Sequence, residues 1–290
     1  MEKTFFTGTC TALVTPFEDD RVNYDMLAHL LERQIQAQIP AVVLCGTTGE
    51  SATLSDTEKV DIFRFAKNTV GDRIKIICGT GSNHTAHAVS LSIAAEEVGA
   101  DALLLVSPYY NKGNPQGLLE HFRTIANAVK IPLILYNVPS RTGLDMSVSL
   151  YQQLSKIPNI IGVKEASTDI VKISRIRNAC GPDFSVWCGN DDQAVAAIAL
   201  GAKGVISVLS NVLPKETLEM TGAIYDGDLD TAMDLHGKML PVMDALFKEV
   251  NPIPVKEAMR MIGYNCGPCR LPLGSVSTDT RNLLQQLLCS

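Results

Sequence analysis

Lys164 has the sequence setting that most favours covalent chemistry. Residues 160–166 form an apolar run typical of a buried strand, and strand alternation places Lys164 on one face with Gly162 and Ala166. The opposite face would carry Ile161, Val163 and Glu165. Burial favours a neutral amine, which attacks carbonyl groups, so the pattern is compatible with a Schiff-base lysine, although strand-end lysines are common and this stretch alone favours that simpler interpretation. The alternative is a strand-end lysine whose stem reaches solvent.

Polar residues that could assist such a lysine follow other apolar runs. Thr47 and Thr48 lie in a Gly-Thr-Thr-Gly loop, which is either a plain turn or an anion site made of backbone N–H groups. Tyr136 ends a run and is either a core tyrosine or a neighbour of Lys164. Arg141 is either a surface charge or a ligand for a carboxylate. Tyr110 follows Tyr109, and packing is the simpler interpretation of both rings.

The elements that must position these residues repeat along the chain. Apolar, β-branched runs alternate with amphipathic segments, which predicts a parallel sheet. The predicted strands are residues 9–17, 41–47, 74–79, 102–109, 132–138, 160–166, 185–189 and 204–208. Eight repeats predict an α/β fold of the (β/α)8 TIM-barrel type, with its active site at the carboxyl ends of the strands. An open doubly wound sheet is the alternative, but no GxGxxG follows the first strand.

Beyond residue 214 the strand pattern stops. We therefore predict a catalytic barrel over residues 1–224 and a helical C-terminal extension over residues 225–290. No low-complexity linker separates the two, so the extension should pack on the barrel.

Composition narrows the classes of function. The chain has 290 residues, 46% of them hydrophobic, and a net charge of −6, which gives no reason to expect a nucleic-acid partner. The basic residues within 172–177 are interpreted as a solvated helix face. The start of the chain lacks a signal-peptide core, and no apolar run is long enough to span a membrane. We expect a cytoplasmic protein.

The cysteines do not predict a metal site, and neither do His84 and His87, which have no third ligand nearby. Cys10, Cys45, Cys78 and Cys188 lie in apolar runs and should be core residues. Cys266-Gly-Pro-Cys269 is an isolated CxxC without a second pair, so neither a redox site nor a zinc site is predicted there.

Taken together, these residues resemble the dihydrodipicolinate synthase family of pyruvate-dependent class I aldolases. The resemblance covers nearly the whole chain. Its motifs are Gly8-Thr9, Thr15-Pro16-Phe17, Gly46-Thr-Thr-Gly-Glu50, Tyr136-Asn-Val-Pro-Ser-Arg-Thr-Gly143, Gly162-Val-Lys-Glu-Ala166, Gly204-Val-Ile-Ser-Val208 and Asn251-Pro-Ile-Pro-Val-Lys256. Thr47, where N-acetylneuraminate lyases typically have serine, and Arg141 favour the synthases within that superfamily.

The resemblance implies roles for the matched residues. Lys164 would form the Schiff base with pyruvate, Tyr136 would transfer protons, and Thr47 would link Tyr136 to a Tyr110 contributed by a neighbouring subunit. The substrate-binding residues would be Thr48 for the pyruvate carboxylate, Arg141 for the carboxylate of L-aspartate 4-semialdehyde, and the backbones of Gly189 and Ile206 for the pyruvate pocket. A homotetramer built as a dimer of dimers is implied, and no cofactor or metal.

The implied reaction gives 4-hydroxy-tetrahydrodipicolinate for diaminopimelate and lysine synthesis. Two alternatives remain: another pyruvate-dependent aldolase such as an N-acetylneuraminate lyase, and a non-catalytic barrel that binds a small molecule. Lysine-sensitive family members bind lysine at positions that match Ser51, Ala52, Asp56, Lys59, Asn83, His87 and Tyr109. They have histidines in place of Asp56 and Lys59 and a glutamate in place of His87, so the resemblance implies weak or absent inhibition by lysine here.

Overall fold

Eight parallel strands close into a barrel in the computed structural model, which describes residues 4–289. The barrel strands are β1 (Gly8–Ala12), β4 (Ala41–Leu44), β5 (Lys75–Gly79), β6 (Ala102–Val106), β7 (Leu133–Asn137), β8 (Ile160–Glu165), β9 (Ser185–Cys188) and β10 (Gly204–Ser207). Their order around the barrel is β1-β10-β9-β8-β7-β6-β5-β4. The predicted TIM barrel is confirmed, and the open-sheet alternative is wrong. Residues 1–3, part of the start used to argue against a signal peptide, lie outside the described residues.

Several strands end earlier than the sequence suggests. The first was predicted to reach residue 17 but ends at Ala12, and Pro16, which has no N–H to donate to a sheet, lies between it and the next pairing. Phe17–Glu18 (β2) instead pairs antiparallel with Arg21–Val22 (β3). The second barrel strand ends before Cys45, whose φ of 51° is left-handed and incompatible with a strand.

The helices surround the barrel and then continue past it. They are α1 (Tyr24–Gln36), α2 (Asp56–Val70), α3 (Thr85–Glu97), α4 (Pro115–Ala128), α5 (Pro139–Thr142), α6 (Val148–Leu154), α7 (Val171–Cys180), α8 (Ala194–Ala199), α9 (Pro214–Tyr225), α10 (Leu229–Phe247), α11 (Ile253–Met261) and α12 (Thr278–Leu288). The last three form the predicted C-terminal helices. None of the helices described is long and apolar enough to cross a bilayer.

The barrel interior is a separate apolar cluster inside the ring of strands. It includes inward-facing residues such as Cys10, Val43, Leu104 and Ile134. Trp187 closes part of this interior: its ring stacks on Phe6 at 4.9 Å, and its Nε1 donates to the Phe6 carbonyl. Small neighbours are needed here, since a Cβ on Gly162 would lie 2.8 Å from the Trp187 ring.

Two expectations about side-chain direction are wrong. Ile161 was placed with the outward-facing residues, but it packs against the interior cluster. The reason is a register shift between β7 and β8, where Leu133 pairs with Ile160 and Ile134 with Gly162. Lys172 was placed on a solvated helix face, but it is buried and paired with acidic side chains.

Candidate active site

Lys164 faces the barrel interior near the carboxyl end of β8. Its side chain is held among buried residues, with only 5% of the residue exposed. Tyr136, directly opposite on β7, is 7% exposed. The Lys164 amine lies 4.6 Å from the centre of the Tyr136 ring. The two side chains predicted to meet therefore do meet, in a position where the amine is largely removed from water.

The space above Lys164 depends on Gly189. A Cβ at this position would lie 3.1 Å from Cε of Lys164 and 2.5 Å from Cβ of Ala166. Any larger residue would press on the lysine stem. Ile206, on β10, is fully buried and belongs to the interior cluster. Gly189 therefore contacts the Lys164 stem and Ile206 lies inside the barrel, while their role in binding pyruvate stays a prediction.

Asp191 is a buried carboxylate at the same end of the barrel, two residues beyond Gly189. One carboxylate oxygen accepts hydrogen bonds from the backbone N–H groups of Val208 and Leu209, at 2.9 and 3.0 Å. Burial raises the pKa of the Asp191 carboxyl, and these backbone donors and the charge of Lys164 act in the opposite direction. Asp191 thus ties the end of β9 to the turn after β10.

Thr48 and Arg141 are joined through a residue of the C-terminal extension. The Asn251 amide donates to Oγ1 of Thr48 at 3.0 Å. The Arg141 guanidinium donates to the Asn251 carbonyl at 3.2 Å, while Arg141 itself is exposed at the mouth of the barrel. The two residues predicted to bind different carboxylates are therefore held by one asparagine, to which the sequence reasoning gave no role.

A buried ion pair fixes the other end of the Gly-Thr-Thr-Gly-Glu loop. Lys256 donates to Oε1 of Glu50 at 2.8 Å, and their side chains are 3% and 0% exposed. The backbone N–H of Arg270 donates to the other oxygen of Glu50 at 2.8 Å. Glu50 adopts a left-handed φ of 55° to reach these partners. The late motif that ends at Lys256 was visible in the sequence, but nothing local indicated which loop it contacts.

Thr47 and Tyr110 occupy different environments in the single chain. Thr47 is half-buried in the loop after β4. Tyr110 is 91% exposed and has a left-handed φ of 71°, an uncommon conformation for an aromatic residue. The relay from Tyr136 through Thr47 to Tyr110 depends on a second subunit and stays a prediction.

The cysteine pair late in the chain is partly removed from water, with Cys266 buried and Cys269 half-buried. Cys266 and Cys269 are free thiols, and burial raises the pKa of Cys266 to about 11 and of Cys269 to about 12. Thiols with such pKa values are poor nucleophiles at neutral pH. Within residues 4–289, no three His, Cys, Asp or Glu side chains are grouped to hold a metal ion.

Comparison with known proteins gives consistent matches along the whole chain. The profile of the Dihydrodipicolinate synthetase family matches residues 5–290. A 4-hydroxy-tetrahydrodipicolinate synthase of Acetivibrio thermocellus is 46% identical over 288 residues, which cover 99% of this chain and 98% of the relative. One of Caldicellulosiruptor saccharolyticus is 47% identical, with 98% of this chain and 96% of the relative covered. The crystal structure of dihydrodipicolinate synthase from Aquifex aeolicus superposes with a TM-score of 0.96 at 43% identity, covering 98% of this chain and 97% of that one.

Proposed function

The chain belongs to the dihydrodipicolinate synthetase family and is a lyase that forms 4-hydroxy-tetrahydrodipicolinate, and we propose that Lys164 carries this reaction as a Schiff base with pyruvate. The observation that carries the proposal is the buried amine of Lys164, 4.6 Å from the centre of the Tyr136 ring. A desolvated amine beside a hydroxyl that can transfer protons suits imine chemistry.

In the first half-reaction, the Lys164 amine attacks the C2 carbonyl of pyruvate. Loss of water leaves an imine between Nζ and C2. Removal of a proton from the C3 methyl group gives an enamine, with Tyr136 as the group that moves protons to and from the reacting atoms. The protonated imine formed on Lys164 is the electron sink, so the proposed mechanism uses no cofactor.

In the second half-reaction, the enamine C3 attacks the aldehyde carbon of L-aspartate 4-semialdehyde and forms the new C–C bond. This restores the imine at C2, and the former aldehyde oxygen takes up a proton and becomes the 4-hydroxyl group. The amino group of the semialdehyde then attacks C2, closes the ring and releases the Lys164 amine. Arg141 is assigned to the semialdehyde carboxylate, because a guanidinium can hold it with two parallel hydrogen bonds. Thr48 and its loop are assigned to the pyruvate carboxylate.

The proposed assembly is a homotetramer in the cytoplasm, in which Tyr110 enters the site of a neighbouring subunit. Its exposure of 91% supports this placement, because a free tyrosine ring of that size would otherwise leave apolar surface in water. The boundary between barrel and extension is placed after residue 224.

The test is reductive trapping. Pyruvate plus borohydride should add a reduced pyruvyl group to Lys164, located by peptide mass spectrometry, and Lys164→Ala should lose both the adduct and nearly all activity. Lys203→Met, at another barrel residue, serves as the control and should keep the adduct. A label on a different lysine would refute the proposal. Turnover of N-acetylneuraminate in preference to the semialdehyde would refute the substrate assignment.

A further inference from the structure

A buried polar pair lies on the outer side of the two strands that carry Lys164 and Tyr136. The amide of Asn137 donates to both oxygens of Glu165, at 2.8 and 3.1 Å. Both residues are buried, with 0% and 3% exposure. We propose that Asn137 and Glu165 are positioning residues that fix the register of β7 against β8, so that Tyr136 lies opposite Lys164. This inference rests on the proposed Schiff-base role of Lys164.

Asn137 and Glu165 lie next to the two residues whose alignment depends on the register of β7 against β8. Asn137 directly follows Tyr136, Glu165 directly follows Lys164, and the structure pairs each residue with its counterpart across the strands. Neighbouring residues on a strand point to opposite faces. A contact between the outward-facing residues therefore sets the position of the inward-facing ones next to them.

The strands need such a constraint because their register already shifts once. Between Leu133 and Ile134 of β7, the partner residue on β8 jumps from Ile160 to Gly162. Apolar side chains alone specify strand register weakly when both faces are buried, because a slipped strand still buries apolar groups. A hydrogen-bonded pair with one correct partner discriminates between registers, since a slip would leave buried polar groups unpaired.

Further donors hold Glu165 in place. The Tyr151 hydroxyl donates to one oxygen at 3.1 Å, the Ser167 backbone N–H to the other at 2.9 Å, and the Lys172 amine lies 3.5 Å from the carboxylate. Burial, followed by the charge of Glu165, raises the pKa of Tyr151 well above its usual value, so its hydroxyl remains a donor. Glu165 is therefore anchored from α6, from α7 and from the loop after its own strand.

Asn137 is anchored in the same way from its other side. Its amide nitrogen also donates to Asp145 at 2.8 Å, and its amide oxygen accepts from the backbone N–H of Met146 at 3.1 Å. Every polar atom of this amide thus has a partner. The Asn137 side chain cannot rotate, and β7 cannot slip against β8, without breaking several of these hydrogen bonds at once.

The experiment measures imine formation separately from stability. In Asn137→Ala, the rate of borohydride-trapped adduct formation at Lys164 should fall at least tenfold, because a misplacement of about 1 Å can cost up to about 100-fold in rate. The value of kcat should fall in parallel, while KM for pyruvate should change less than about threefold, since the groups assigned to its carboxylate lie on another loop.

Asn159→Ala is the matched control. Asn159 immediately precedes the same strand β8, at its opposite end, and its amide donates to the carbonyls of Ala126 and Val129 at 2.9 and 3.0 Å. This change should lower the thermal midpoint by removing two partly buried hydrogen bonds, yet it should leave the trapping rate within about twofold of wild type.

A reciprocal exchange tests the pairing itself. Asn137→Asp places a carboxylate against that of Glu165 and should slow trapping more than Asn137→Ala. Adding Glu165→Gln restores one donor and one acceptor, because the new amide nitrogen can donate to the new carboxylate. The double variant should recover at least tenfold over Asn137→Asp. Both changes keep side-chain size, so they carry the test if Asn137→Ala does not fold.

Two results would overturn the positioning role. One is a trapping rate in Asn137→Ala that is unchanged or falls no more than in Asn159→Ala. The other is a double variant no faster than Asn137→Asp. A wild-type label on a lysine other than Lys164 would instead refute the proposed function, and this inference with it, so the two failures are distinguishable.

Discussion

Replacing Lys256 by methionine should destabilise the enzyme because it leaves a buried carboxylate without its cation. The Glu50 side chain has 0% exposure and two donors, the Lys256 amine at 2.8 Å and the backbone N–H of Arg270 at 2.8 Å. Methionine keeps most of the length of the lysine stem but removes the amine, which lies 4.4 Å from the centre of the Phe17 ring, so the main change is the loss of the charged group. The loss should be close to that of breaking a buried ion pair, about 3–5 kcal/mol.

Removing the charge of Glu50 instead should lower the free energy of unfolding by a smaller amount. In Glu50→Gln, the Lys256 amine keeps the Pro268 carbonyl at 2.9 Å and the face of the Phe17 ring at 4.4 Å, and the new amide oxygen can still accept a hydrogen bond. We expect Glu50→Gln to lower the free energy of unfolding by about 1.5–3 kcal/mol, the range for a hydrogen bond to a charged group. The double variant should be more stable than the sum of the single changes predicts, because it leaves no unpaired buried charge.

Urea and thermal unfolding at fixed protein concentration would measure these differences. A loss of 3 kcal/mol or more corresponds to a fall in the thermal midpoint of at least about 5 °C for a chain of this length. Lys130→Met, at an exposed lysine, is the control and should stay within about 0.5 kcal/mol. A change below about 1 kcal/mol for Lys256→Met, or strict additivity in the double variant, would refute the idea that the pair is held out of water. KM for pyruvate should rise in Lys256→Met, since Glu50 ends the loop that contains Thr48.

The remaining predictions concern the second substrate, inhibition and pH. Arg141→Ala should raise the apparent KM for aspartate semialdehyde at least about tenfold and that for pyruvate much less, because a charged hydrogen bond contributes about 1.5–3 kcal/mol; equal rises would indicate a structural arginine. Lysine should inhibit weakly or not at all at subsaturating pyruvate, since His87 Nε2 lies 2.8 Å from Asp56 and occupies its carboxylate; inhibition at sub-millimolar lysine would contradict this. Burial lowers the pKa of His121 to about 4 from the usual 6.5, so the unfolded chain binds the proton more readily between these values. The contribution of neutral His121 to the free energy of unfolding should therefore be fully present above pH 6.5 and fall by at most about 3 kcal/mol as the pH drops to 4. Urea unfolding at several pH values would measure this. If the free energy of unfolding of His121→Gln falls with pH as steeply as that of wild type, another group is responsible.

The barrel itself could be predicted from local pattern. Strand-like and helical stretches alternate eight times, and short-range chemistry decides each of them. The meeting of Lys164 and Tyr136 also followed from the sequence, because both lie near the ends of consecutive predicted strands whose alternation points them inward. Their partners on the outer side, Asn137 and Glu165, received no role, although alternation would have placed them opposite each other.

What could not be predicted depends on residues far apart in the chain. Glu50 meets Lys256, and Thr48 meets Asn251, across more than 200 residues, and no spacing or periodicity encodes such contacts. The direction of Ile161 was wrong because one shift in register reverses the faces of a strand. Lys172 was misplaced because its burial depends on acidic partners from two other elements.

Trp187 provides an intrinsic fluorescence probe of the barrel interior of this enzyme. It is the chain's only tryptophan, it is fully buried, and it pairs with Lys164 across β8 and β9. Its emission therefore arises from one place, on the strand next to Lys164 and stacked on Phe6. The proposed conversion of the Lys164 amine to an imine would change the charge distribution inside the barrel that holds the indole, so stopped-flow fluorescence should record the arrival of pyruvate without any label. The same signal would record unfolding of the barrel interior without contributions from the outer helices.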